Sequence, residues 1–133
     1  NSGIRKQVSL VKGIVDGKGY SKDISPTERG RVLSVATARQ LREMLEMAVK
    51  GGTGTRANIN GWGAAGKTGS AETGWLAGGE TMTHAWFAGY FPKENPKYVT
   101  VVMVENGKSG AIAAAPVFKE IGNAVKDLNR PVE

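Results

Sequence analysis

From Ser34 onward apolar residues recur at helical spacing, at Val35, Ala38, Leu41, Met44, Leu45, Ala48 and Val49, with charges opposite. That period predicts an amphipathic helix, and Ser34 is suited to cap it because its hydroxyl can accept a first-turn N–H. Arg39 with Glu43, Arg42 with Glu46 and Glu46 with Lys50 fall at i, i+4 on the outer face. Gly51-Gly52 is expected to end the helix by taking the left-handed conformation of a helix stop. A second stripe, Val117, Phe118, Ile121, Ala124, Val125 and Leu128, predicts a closing helix over 114–128 with Pro116 tolerated in its first turn.

Three segments between the helices read as strands: 65–73, 83–91 with Pro92 as its stop, and 98–105. The last is apolar on both faces, which predicts an interior position in a sheet rather than an edge, and Asn106-Gly107 turns the chain after it. Residues 7–15 alternate weakly and run into Asp16-Gly17-Lys18-Gly19, a short strand entering a turn. Residues 21–33, polar and containing Pro26, read as a connector, and 51–66, with six glycines, as a loop. Consecutive antiparallel strands flanked by helices make the fold class α+β.

Composition narrows the picture. The 133 residues are the size of one domain, and 40% hydrophobic with 23% charged residues is ordinary globular usage. No apolar run approaches the roughly 20 residues of a membrane helix, and no leader pattern opens the sequence. Without cysteine there is no disulfide framework, thiolate metal site or cysteine nucleophile, and the single histidine, His84, cannot build a metal site alone. Net charge is +6, of which residues 1–50 carry +5. These cations are spread singly, without the aromatic interleaving of a nucleic-acid binder, so no nucleic-acid partner is expected. They suit an anionic surface or simply a solvated face.

The segment Gly61-Trp-Gly-Ala-Ala-Gly-Lys-Thr-Gly-Ser-Ala-Glu72 carries the candidate chemistry. Gly61 through Thr68 satisfies the phosphate-loop pattern G-x-x-x-x-G-K-[ST], and Val101 to Glu105 imitates its partner strand. A phosphate loop needs a buried strand before it and a helix N-terminus after it. Here a polar stretch precedes, glycines 69 and 74 interrupt any following helix, and nucleotide binding is disfavoured. The alternative is a Lys67-Thr68-Gly69 strand. With little or no side chain at Gly66, Gly69 and Ala71, an extended peptide can approach such a strand and pair with its backbone. Period two puts Thr68 and Ser70 on one face and Lys67 on the other, so the two hydroxyls can hold one anionic group together.

The order of these features resembles the C-terminal part of the transpeptidase domain of class B penicillin-binding proteins. It runs through the long helix, Gly52-Thr-Gly-Thr-Arg-Ala57, Ala65-Gly-Lys-Thr-Gly-Ser-Ala-Glu72, His84-Ala-Trp-Phe-Ala-Gly-Tyr-Phe-Pro92 and the apolar strand, and the likeness extends over about residues 10–128. The resemblance implies three strands of that family's five-stranded antiparallel sheet, with a long helix before them and a C-terminal helix packed on them. It implies that Thr68, Gly69 and Ser70 bind the terminal carboxylate of a D-alanyl-D-alanine stem peptide, or that of a β-lactam. By the same likeness the Ser70 N–H is one oxyanion donor, and Lys67 keeps the cleft positive and reaches toward the family's second motif. It implies no metal or organic cofactor, and a membrane-anchored enzyme with its catalytic domain outside the cytoplasm.

His84, with no assignable carboxylate partner, reads as structural, and Trp86, Phe87, Tyr90 and Phe91 as packing. Trp62 and Trp75 either line a cleft or anchor loops. The family also needs a nucleophilic serine in S-x-x-K followed by S-x-N. Ser9-Leu10-Val11-Lys12 has the first pattern formally, but catalysis needs it at a helix start, whereas 7–15 reads as strand with Ser9 and Lys12 on opposite faces. No S-x-N occurs. Residues 1–133 are therefore expected to be the C-terminal portion of a longer transpeptidase domain, lacking its nucleophile and inactive alone. Its expected partners are the peptidoglycan stem peptide, β-lactams, the rest of its own domain and, through the edge of strand 98–105, a second copy. The competing class is a non-catalytic wall-binding or interaction module on the same fold.

Overall fold

A computed structural model describes residues 2–24 and 27–129. Residues 1–41 and 42–133 form two compact units. In the first, β1 (Ile4–Lys6) pairs antiparallel with β4 (Glu28–Arg31), and β2 (Gly13–Val15) with β3 (Ser21–Asp23). The expected strand over 7–15 thus shrinks to its last three residues, and the expected connector 21–33 holds two strands; Pro26 lies outside the described residues. These strands are short, and nearly all their residues are exposed, so apolar alternation had little to report. Local polar contacts shape them instead: Asp16 Oδ1 accepts the N–H groups of Lys18 (2.8 Å) and Tyr20 (3.0 Å), closing the β2–β3 hairpin.

Helix α1 (Val35–Lys50) starts as expected, with Ser34 Oγ accepting the Thr37 N–H at 3.0 Å. Its end differs in cause. Neither Gly51 nor Gly52 has a positive φ; a β-carbon at Gly52 would stand 3.0 Å from the Ala48 carbonyl oxygen, so close packing rather than a left-handed backbone favours glycine there. Of the apolar stripe only Val49 is buried, while Leu41 and Met44 are exposed. Arg42 is half-buried: its Nε lies 2.7 Å from Glu46 Oε1 and its Nη2 donates to the Lys93 carbonyl at 3.0 Å.

The second unit is built on β5 (Ala65–Ala77), β6 (Glu80–Phe91) and β7 (Tyr98–Val104), antiparallel in that order. The expected strand 65–73 runs four residues further because Gly74 (φ 75°) sits where the register shifts, and Gly78 and Gly79 (φ 62° and 85°) make the hairpin turn. A π-helical turn (Gly110–Ala114) leads into α2 (Ala115–Leu128), with Pro116 in its first turn. The loop 51–66 also contains a single 3₁₀ turn, Thr55–Ala57.

Phe87, Phe91, Phe118 and Ile59 are the largest fully buried side chains. The Phe87 and Phe118 rings meet at 4.7 Å, and Phe91 meets Phe118 edge-on at 5.4 Å, which fastens α2 to one sheet face. Ile59 fits against Gly122, where a β-carbon would stand 2.9 Å from its Cγ1. The opposite face is covered at its Ala65–Tyr90 end and open beyond it. Trp86, Val101 and Met103 lie on it in register, 37%, 58% and 41% exposed, with Val99 at 82%. Among the described residues β7 is an edge strand, leaving unpaired the edge through which a second copy is expected to join; of its two apolar faces only one is covered. No helix among the described residues is long and apolar enough to cross a membrane.

Candidate active site

Gly61 through Thr68 does not form a phosphate loop. Residues 61–64 lead directly into β5, so Lys67 and Thr68 are strand residues and no helix N-terminus follows. β5 is the other edge of the sheet, paired only with β6 among the described residues. Its register sets Gly66 opposite Gly89, Lys67 opposite Ala88, Thr68 opposite Phe87, Gly69 opposite Trp86 and Ser70 opposite Ala85.

Paired residues share a sheet face. Thr68 and Ser70 are therefore together on the Phe87 face, and Lys67 is on the open face with Trp86, as period two requires. Thr68 is half-buried; Lys67 and Ser70 are exposed. The Lys67 ammonium donates to the Thr68 carbonyl at 2.7 Å, and the Thr68 hydroxyl lies 2.8 Å from that of Thr53. A β-carbon at Gly66 would stand 2.6 Å from the Ala88 carbonyl oxygen and 2.7 Å from the Phe87 ring, so this glycine is fixed by packing beneath the strand. At Gly69 the nearest atom to a β-carbon would be Trp86 Cβ at 3.4 Å, a van der Waals contact, so packing does not by itself demand glycine there.

The arrangement offers two adjacent hydroxyls and an ammonium along an open strand edge. It is not a cavity. The concavity of about 370 Å³ lined by Glu80, Thr81, Met82, Thr83, Asn106 and Lys108 includes none of the three. Among the described residues no His, Cys, Asp or Glu cluster could hold a metal ion.

The remaining candidates take structural places. His84 Nδ1 accepts the Asn106 N–H at 3.4 Å, in the turn where Asn106 has φ 52°. Trp62 stacks on Tyr98 at 6.3 Å, whereas Trp75 is 71% exposed. Phe87 and Phe91 are core, Tyr90 is half-buried, and Trp86 is more exposed than expected of a packing residue. Ser9 and Lys12 are on neither helix nor strand, so strand alternation does not separate them; the Ser9 hydroxyl donates to the Val11 carbonyl at 2.8 Å in a local turn. Thr53 was visible in sequence only as part of Gly52-Thr-Gly-Thr-Arg-Ala57, and no spacing rule links it to Thr68. The glycines on both sides of it were the available signal.

Penicillin-binding protein PbpB of Mycolicibacterium smegmatis is 33% identical over 139 residues, covering 92% of this chain and 21% of that protein. The D,D-transpeptidase domain of a peptidoglycan glycosyltransferase from Eggerthella lenta superimposes with a TM-score of 0.80 at 32% identity, over 97% of this chain and 30% of the other. Penicillin-binding protein A from M. tuberculosis, solved as an imipenem acyl-enzyme complex, does so with a TM-score of 0.76 at 29% identity, over 94% of this chain and 28% of the other. The chain thus spans about a fifth of its curated relative's length and under a third of these solved chains. The penicillin binding protein transpeptidase domain matches residues 1–123, and the chain belongs to that family.

Proposed function

We propose that this chain supplies the Lys-Thr-Gly strand of a peptidoglycan D,D-transpeptidase and forms the C-terminal portion of its catalytic domain. The observation that carries this reading is the joint presentation of Thr68 and Ser70 on a strand edge that no other described strand pairs. In the complete enzyme a serine outside this chain attacks the penultimate D-alanine carbonyl of a stem peptide, D-alanine leaves, and an amine of a neighbouring stem peptide takes the acyl group. The Ser70 N–H would donate to the oxyanion, Thr68 and Ser70 would hold the terminal carboxylate, and Lys67 would keep the cleft positive. β-Lactams would occupy the same strand, a reading supported by the likeness to a penicillin-binding protein solved as an acyl-enzyme. The proposal needs no metal or organic cofactor and no nucleic acid.

The open sheet face supports the rest of the domain as partner. Lys67 lies on the same face as Trp86, Val101 and Met103, an apolar surface of the kind that packs against further protein. The nucleophile would be carried there, within reach of Lys67. We place the full-length protein at the membrane, with this domain outside the cytoplasm.

Fluorescent penicillin tests the whole reading on the full-length protein. Covalent, stoichiometric labelling of a serine upstream of this segment, in an S-x-x-K followed by S-x-N, is the expected result. A folded protein that retains peptidoglycan without labelling would instead be a non-catalytic wall-binding module.

A further inference from the structure

Thr53 Oγ1 and Thr68 Oγ1 lie 2.8 Å apart, and either could donate. Thr53 follows α1 between two closely packed glycines. A β-carbon at Gly52 would stand 3.0 Å from Ala48 Cα, and one at Gly54 would stand 3.1 Å from the Ala48 carbonyl oxygen and 3.3 Å from the Phe87 ring. The Gly54 N–H also donates to the Ala48 carbonyl at 2.9 Å. Backbone on both sides of Thr53 is thereby held to the last turn of α1, and on one side to Phe87, the residue paired with Thr68 across the β5–β6 ladder. Thr53 is delivered to Thr68 by the framework of the fold, not by a mobile loop tip.

A hydroxyl has one hydrogen to donate, and a carboxylate can only accept. To bind a carboxylate, Thr68 must give its hydrogen to the ligand. The 2.8 Å contact then persists only with Thr53 as donor, giving a chain from Thr53 O–H to Thr68 oxygen and from Thr68 O–H to the carboxylate, each bond polarising the next. Without Thr53, the Thr68 hydroxyl loses the donor that fixes its rotor. We infer that Thr53 is a positioning residue that commits the Thr68 proton to the anionic group of the substrate. This rests on the proposed role of Thr68 and goes beyond it by assigning a function to a residue outside the strand.

The test uses the full-length protein and two acylating probes, a penicillin with a free carboxylate and its methyl ester. Thr53→Val keeps the shape and removes the donor. The acid should acylate about tenfold more slowly while the ester is unaffected, the size expected of one hydrogen bond to a charged group. Thr53→Ser should restore the acid rate, and Thr53→Val should add nothing in a Thr68→Val background. Should Thr53→Val not accumulate as folded protein, Thr53→Ala reads the same ratio. Equal slowing of both probes, or an undiminished Thr53 effect in the Thr68→Val background, would make Thr53 merely structural and overturn the inference. If Thr68→Val lowers the acid-to-ester ratio and Thr53→Val does not, this inference alone fails. If Thr68→Val leaves the ratio unchanged, the role of Thr68 itself is wrong and the inference falls with it.

Discussion

Gly110, the first residue of the π-helical turn, lies directly on the backbone of Gly69. A β-carbon there would stand 2.6 Å from the Gly69 carbonyl oxygen and 3.0 Å from its nitrogen, and closer still to the Trp86 carbonyl oxygen. The atoms it would meet are backbone, so no side chain can swing aside. Gly110→Ala is therefore expected to destabilise the chain by about 1–3 kcal/mol, the usual cost of overpacking. Thermal melting of the 133-residue chain measures it; an unchanged midpoint would mean that the turn relaxes away from β5.

Lys67→Ala and Ser70→Ala separate site from scaffold. Both side chains are exposed, so melting should change by about 0.5 kcal/mol or less. Acylation of the full-length protein should slow far more, by on the order of 1.5–3 kcal/mol where a hydrogen bond to a charged group is lost. Ser70→Ala keeps the main-chain N–H, so its deficit reports the carboxylate contact alone. Near-normal rates combined with a large melting loss would make these residues structural.

The isolated 133-residue chain should form no covalent penicilloyl adduct. Ser9 and Lys12 are outside any helix, and the Ser9 hydroxyl is engaged with the Val11 backbone. Intact-mass measurement after incubation with penicillin decides the matter. A stoichiometric increase mapped to Ser9 would show that this pair forms a working nucleophile.

What could be read in advance follows from how each element is held. Ser34 and the 3.6 period announced α1, and Phe118 with its neighbours announced α2, because long amphipathic segments carry many concordant residues. β1 to β4 have three or four residues each, nearly all exposed, and are shaped by backbone pairing and by Asp16, which leaves no apolar period to detect. Gly74 looked like the end of a strand, whereas its positive φ accommodates a shift in register inside one. In the site, Lys67, Thr68 and Ser70 were legible because alternation fixes their faces. Thr53 was not, since its contact spans 15 residues and is made by the turn out of α1.

Tyr90 offers a pH test. Its hydroxyl is buried without a hydrogen-bond partner, and burial first, then the nearby Glu46 carboxylate, push its pKa up. An unfolded tyrosine ionises near pH 10, so its contribution to stability is complete below about that pH and is lost as pH rises through the folded value. Tyr90→Phe should flatten this alkaline loss. At neutral pH it should be neutral or stabilising by up to about 1 kcal/mol, because no bond is given up. A clear fall in melting temperature at pH 7 would show that the hydroxyl has a partner after all.

The open edge of β7 predicts self-association of the isolated chain. Residues 98–104 carry no charge, and an unpaired strand edge of this kind invites another. Antiparallel pairing of two copies about a two-fold axis through Val101 would set Val99 opposite Met103 and bring Lys97 of each copy opposite Glu105 of the other. The flanking charges thus favour this register, although each exposed pair contributes only about 0–1 kcal/mol. Light scattering at micromolar concentration should report a dimer. Lys97→Glu places glutamates opposite each other and should shift the chain toward monomer, as should Glu105→Lys through paired lysines. The double variant restores opposite signs and should recover the dimer. A dimer indifferent to all three variants would instead point to exchange of α2, and a strictly monomeric, well-folded chain would mean that this edge does not pair at all.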